Sequence, residues 1–248
     1  MHVNQRRVPI FIAWMCFVLQ VGFIIHARGT LPDLGIVPEV PSAEELQMLS
    51  FGDEELAFRV IAFRMNNMGD TFGRFSALKD YDLHKVYQWF TLMDGLDNQS
   101  NHPAAMAAYY FSQTQKPEDV RYMVDYLVES SKDRPHERWW WLTQATYIAM
   151  HKMKDNDRAL EIAKYLQGVE GIPHWAQQMP AFVHEQRGEF EDAYQIMRHM
   201  LEKSNDLSQA ELNYMRYFME ERAKRLDEVE DLLRKQQMRI DATRHRLE

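Results

Sequence analysis

The sequence predicts an all-α protein: a single N-terminal transmembrane helix, a solenoid of helical hairpins, and one long C-terminal helix. Three observations point there. Residues 8–25, VPIFIAWMCFVLQVGFII, carry no charge and one strongly polar residue, Gln20. Beyond them, short stretches with apolar residues at helical spacing alternate with polar breaks, and strand-like alternation is absent. Near the C-terminus, Leu212, Met219, Leu226, Leu233, Ile240 and Leu247 recur at seven-residue intervals.

Composition agrees with helix. The 248 residues are 46% hydrophobic, and 16 methionines stand against nine prolines and ten glycines. A net charge of −8 without a basic patch argues against a nucleic-acid partner. Cys16 is the single cysteine, which excludes an intramolecular disulfide and a cysteine metal cluster.

Residues 8–25 would make about 27 Å of helix, close to the roughly 30 Å hydrocarbon core of a bilayer. Arg6 and Arg7 precede the segment; Arg28 follows, and then Asp33, Glu39, Glu44 and Glu45. The positive-inside bias makes residues 1–7 a cytoplasmic tail and 8–27 a signal anchor in the lipid bilayer of the inner (plasma) membrane. The remainder is then extracytoplasmic, in the periplasm. A cleaved signal peptide is the competing reading, since Ala27 and Gly29 fit a small-x-small site, although Trp14 and Phe17 are bulky for it. Residues 28–41 include LPDLGIVPEVP, whose three prolines favour an extended spacer; an ordered arm on the domain is the alternative.

Ser42-Ala43-Glu44-Glu45 is a capping box that opens a helix to about residue 67, with Leu46, Leu49, Leu56, Val60, Phe63 and Asn67 near one face. GDTFGRFSALKDYD, residues 69–82, interrupts it. A second helix, 83–95, carries Val86, Trp89, Phe90 and Met93. Pro103 and Pro117 suit the first turns of helices 103–113 and 117–131. Further helices are expected at 136–153, 156–168, 173–187 and 190–203. Ser208-x-x-Glu211 is a second capping box, opening a helix that runs to about 246. Its first part would cap the domain. The rest is either a weak coiled coil, associating through 212–247, or a solvated helix.

An internal repeat underlies the middle of the chain. Shifted by 34 positions, Trp141 falls on Trp175, Gln144 on Gln178, Ala159 on Ala193 and Ile162 on Ile196. Gly188-Glu189-Phe190 stands three residues before Ala193, as Lys154-Asp155-Asn156 stands before Ala159. On these residues the chain resembles the tetratricopeptide-repeat (TPR) family across two units. Residues 103–131 look like a third unit, with Val120 in the alanine's place, and 43–95 like a degenerate fourth. One departure is that the tryptophan precedes the alanine by 18 residues here rather than the family's 16. The resemblance implies helix–turn–helix units stacked over residues 42–207, with 208–248 as the terminal helix, and it implies protein–protein interaction.

Motifs of chemistry are missing. Ten histidines show neither HExxH nor an i, i+4 pair, and there is no G-x-S-x-G, P-loop or G-x-G-x-x-G. No catalytic residue, cofactor or metal is expected. Candidate partner-binding residues lie instead on an aromatic and amide stripe, Trp140, Gln144, Tyr147 and His151, with Gln178 one repeat on. Trp141, Ala145, Ile148 and Ala149 form the adjoining packing stripe, matched by Trp175, Met179, Phe182 and Val183. In the 69–82 loop, Phe72, Arg74 and Phe75 make either a docking loop or a connector with both phenylalanines tucked in. The expected role is a scaffold or assembly subunit of a membrane complex, with a periplasmic peptide-binding or chaperone-like module as the alternative.

Overall fold

The computed structural model describes residues 7–27, 35–71, 74–203 and 207–244. The chain divides into two compact units, residues 1–35 and 36–248. The first unit holds α1 (Arg7–Ala27). Its side chains are described for residues 12–24, all of them exposed, with Trp14 edge-on to Phe17 at 6.1 Å. Among the described residues no helix is long and apolar enough to cross a membrane.

Among its described residues the second unit is helical apart from one short strand pairing. Its helices are α2 (Ala43–Leu49), α3 (Glu54–Asn66), α4 (Leu83–Leu96), α5 (His102–Tyr109), α6 (Val120–Glu129) and α7 (Pro135–Ile148). They continue as α8 (Asn156–Ala163), α9 (His174–Gln177), α10 (Met179–Arg187), α11 (Phe190–Lys203) and α12 (Gln209–Arg244). Five of these helices start where the sequence supplies a side-chain cap. Both capping boxes form, Ser42 with Glu45 and Ser208 with Glu211. Asp53, Asp82 and Asp155 each accept the backbone N–H three residues on.

Three expectations change in the first third of this unit. The helix expected over 42–67 is two helices, because Phe51 (φ +54°) and Gly52 (φ +78°) turn the chain between them. The buried stripe of α3 is Ala57, Ile61 and Met65, while Leu49, Leu56, Val60 and Phe63 are exposed. Residues 36–41 are not a free spacer. Val37 is buried, Trp89 Nε1 donates to the Pro38 carbonyl at 2.9 Å, and Lys85 pairs with Glu39, so this stretch is an arm laid on α4. Residues 28–34 of the expected spacer lie outside the described residues.

The interrupting loop pairs β1 (Asp70–Thr71) antiparallel with β2 (Arg74–Phe75). Gly69 (φ +83°) passes so close to Tyr81 that a Cβ would sit 1.8 Å from its hydroxyl. That hydroxyl donates to the Met68 carbonyl at 2.6 Å, and burial pushes the phenol up to about 12.

From α4 onward each helix packs on the next or next but one: α4 on α6, α5 on α6 and α7, α7 on α8, α8 on α10, α10 on α11. The main core includes Phe90, Phe111, Tyr126, Leu127, Leu142 and Leu166, with Phe90 edge-on to Phe111 (5.6 Å) and tilted against Tyr126 (5.2 Å). A smaller core, Ala181, Ala193, Met197, Met215 and Phe218, seats α12 on α10 and α11. At 36 residues α12 is about 54 Å long against about 21 Å for the 14-residue α11, so it outruns its neighbour. Leu247, the last residue of its heptad series, is outside the described residues.

The 34-residue offset is visible in the backbone. Asn156 opens α8 and Phe190 opens α11, and in each case the residue two before, Lys154 or Gly188, is left-handed (φ +59° and +79°). A glycine holds that conformation without penalty; Lys154 does so at the end of a π-helical turn, 149–153.

Candidate interaction face

Helix α7 carries the tryptophan run and three of the candidate residues, Trp140, Gln144 and Tyr147. Pro135 sits in its first turn, and Arg138 departs from helical geometry (φ −112°, ψ +20°). The Arg138 side chain is only 4% exposed and reaches the carbonyls of Asn98 (3.2 Å) and Ser100 (3.5 Å), tying the start of α7 to the turn before α5. Its Nε and one terminal nitrogen, like Asp94 Oδ1, are buried without a partner. Burial raises the Asp94 carboxyl above the ordinary range, although the Tyr126 hydroxyl donates to it at 3.0 Å.

The three tryptophans have three environments. Trp141 is 7% exposed, its indole N–H bonded to Asn101 Oδ1 at 2.7 Å. Trp139 is half-buried against the main core. Trp140 is 38% exposed, and its N–H donates to the Tyr109 hydroxyl at 2.7 Å. Trp175, from α9, stands edge-on to both Trp139 (5.5 Å) and Trp140 (6.1 Å), which are themselves perpendicular at 5.6 Å. Rings at these separations fill the space between them, so nothing fits inside the cluster; it offers a surface rather than a cage.

That surface runs along α7. Gln144 is half-buried, Tyr147 is exposed, and the Tyr147 ring meets His151 at 4.4 Å on the π-helical turn. Lys152 beside it donates to the Ser112 carbonyl at 3.0 Å, and burial lowers its pKa. Tyr109 and Trp175 extend the exposed aromatic area, and sequence reading missed both as surface residues. The Tyr109-Tyr110 doublet closing α5 was the available signal. Trp175, paired with Trp141 by the repeat, is exposed where Trp141 is buried, because it caps the neighbouring pair instead of entering its own unit.

The remaining candidates stand differently. Gln178 is enclosed at the break between α9 and α10, with Oε1 unpartnered, and presents no surface to a partner. The break turns inward the side chain that its repeat mate Gln144 shows outward. Phe75 is almost wholly exposed rather than tucked in; Arg74 lies on β2, and Phe72 is outside the described residues.

Two further constellations are present. His184, Glu189 and Asp192 hold ligand atoms within 4.8 Å of one another, a spacing that a cation fits. Glu189 is already engaged by His184 Nδ1 (2.7 Å) and Arg187 Nε (2.8 Å), which together hold its carboxyl below the ordinary range and latch α10 to α11. A cleft of about 600 Å³ beside α11 is lined by Gln167, Gln177, Gln195, Arg198, His199 and Lys203 among others. Comparison with protein-family models, curated proteins and solved structures finds no match to this chain.

Proposed function

We propose that the protein is a membrane-anchored interaction scaffold, an assembly subunit of a membrane complex that recruits protein partners through its helical-repeat domain. The observation that carries this reading is the aromatic face of α5, α7 and α9, where Tyr109, Trp140, Tyr147 and Trp175 are exposed together. Large aromatic side chains with a polar tip combine buried area with a hydrogen bond and have few rotamers to lose, so they make good interface anchors. The TPR-like units serve as the frame that holds this face rigid. Residues 8–27 are read as the anchor, supported by eighteen consecutive uncharged residues and outward-facing Trp14, Phe17 and Phe23. The arginines ahead of the segment favour a cytoplasmic N-terminus and a periplasmic domain at the inner (plasma) membrane. The reading assigns binding, not catalysis.

The amide-lined cleft beside α11 favours a second reading, capture of extended peptide segments in a chaperone-like manner, since glutamine side chains match the donors and acceptors of a peptide backbone. Crosslinking in native membranes followed by purification in mild detergent separates the two. A scaffold brings down the same partners at constant ratio; a heterogeneous peptide population sinks the scaffold reading. Orientation is tested apart from this: a reporter fused after Glu248 that is active only in the cytoplasm overturns it.

A further inference from the structure

The turn between α10 and α11 gathers three side chains that can hold a metal ion. Gly188 is left-handed (φ +79°), which lets the Glu189 N–H donate to the His184 carbonyl at 2.9 Å. That backbone bond fixes Glu189 beside His184, and Asp192 follows three residues on, in the first turn of α11. Glu189 Oε2 lies 2.7 Å from His184 Nδ1, whereas Asp192 Oδ2 stops 4.0 Å from the same nitrogen, beyond hydrogen-bond reach. Ligand atoms about 2.1 Å from a tetrahedral zinc ion stand about 3.4 Å apart, so these two separations bracket the metal-bound value. Asp192 is mostly exposed and has no other partner among the described residues, so it is free to close the difference. The set has no HExxH or paired-histidine signature, because its ligands are one histidine and two acids, spaced H-x4-E-x2-D across a turn.

Closing the hairpin does not require this set. The preceding unit makes the same turn 34 residues earlier with Met150, Asp155 and Arg158 at the matching positions. There Asp155 caps α8, and Arg158 pairs with Asp125 and Glu161. In the later unit Arg187 Nε donates to Glu189 Oε1 at 2.8 Å, which leaves Oε2 directed at His184. Metal-binding carboxylates ordinarily have such a supporting donor. Arg187 also pairs with Asp157, so Asp157, Glu189 and Asp192 stand against one guanidinium, leaving two negative charges for a dication to neutralise. One imidazole nitrogen with two carboxylate oxygens suits a transition cation, whereas magnesium and calcium take oxygen ligands. We propose that His184, Glu189 and Asp192 bind a divalent transition cation of the zinc type, which clamps α10 to α11 across the Gly188 turn. Helix α12 is seated on both of these helices, and Arg222 pairs with Glu185, the neighbour of His184, so the clamp steadies the seat of the terminal helix.

The test uses the full chain, free of any affinity tag, in maltoside micelles after treatment with a chelator. Calorimetric titration with zinc chloride shows one site per chain, and zinc raises the melting temperature; magnesium chloride at the same concentrations does neither. His184→Gln keeps a donor for Glu189 but removes the imidazole, and Asp192→Asn changes a mostly exposed side chain. Each weakens zinc binding by about 100-fold and abolishes the zinc-dependent rise in melting temperature, with the metal-free circular dichroism and melting temperature as in wild type. His136→Gln, at an exposed histidine beside Glu137, leaves zinc binding unchanged. A wild-type chain that takes up no zinc overturns the proposal. Wild-type affinity in Asp192→Asn, or loss of binding in His136→Gln, places the ion on other groups and also overturns it. Equal binding of magnesium overturns it too, because it leaves only a cluster of acids. Should His184→Gln lower the metal-free melting temperature, Asp192→Asn decides alone.

Discussion

Helix α7 carries large side chains on two stripes, and so does α3, yet the fold treats them differently. Around α7, α5, α6 and α8 take up the Trp141, Leu142 and Ala145 sides, and even Trp139 is half-covered by Trp175 of α9. Around α3, among the described residues, α2 and α4 are the main neighbours, and Leu56, Val60 and Phe63 are exposed. A helix inside an array has neighbours on both flanks; one at the edge has them on a single flank and ordinarily answers with a polar outer side. At the other end α12 meets that requirement, burying Met215 and Phe218 and turning charged residues outward. The α3 edge does not: its second apolar stripe is exposed.

The comparison is open to direct attack. Trp141→Ala removes a buried indole and its bond to Asn101, and is expected to cost about 3–5 kcal/mol in denaturant unfolding of the full chain in mild detergent. Ile61→Ala comes next, at about 2–5 kcal/mol, because α3 is as firmly packed on its inner stripe as α7 is. A loss under about half a kcal/mol at Ile61 would mean that the α2–α3 hairpin is not part of the cooperative unit. Trp140→Ala is expected to lower stability by only about 1 kcal/mol while reducing crosslinking to partners; a loss as large as that of Trp141 would make Trp140 core instead.

A titration separates the two regions in another way. Burial raises the Asp94 carboxyl, so the folded protein holds this proton more tightly than the unfolded chain. Its contribution therefore favours folding at low pH and is lost as pH rises above the ordinary aspartate range and through the raised folded value. Glu45, Glu189 and Glu211 are lowered, chiefly by hydrogen bonds from Ser42, His184 and Ser208, and act in the opposite sense, losing their contribution as pH falls. Asp94→Asn keeps an acceptor for the Tyr126 hydroxyl and removes the first effect. The melting-temperature difference, variant minus wild type, should be more positive at pH 7 than at pH 3.5; a flat difference rejects the role given to Asp94. Smallest of all is Val60→Ala, one position from Ile61, expected within about 0.5 kcal/mol of wild type.

What could be read before any fold was known were the features that neighbours in sequence create. Ser42 with Glu45, Ser208 with Glu211, Pro103 in the first turn of α5 and Pro117 in the turn leading into α6 mark helix starts, since each feature acts on backbone groups close by in sequence. The 34-residue offset was legible for the same reason: one local turn recurs at Lys154 and Gly188. The candidate face was legible in part. Trp140 and Tyr147 followed from helical spacing, whereas Tyr109 and Trp175 come from helices that only packing brings beside them.

Tertiary structure alone decided which of two apolar stripes a helix hides. In α3 the choice fell on Ala57, Ile61 and Met65 over the larger Leu56, Val60 and Phe63. Hydrophobicity gives each stripe the same wish to leave water, but area is removed only where another element arrives. The same arrival sent Trp141 inward, left Trp175 at the surface and enclosed Gln178, residues that the repeat alone treats as alike with their mates. Sequence by itself determined that this chain is helical, where several of its helices start, and that a turn recurs at a 34-residue offset. The fold determined which sides of those helices remain available to partners.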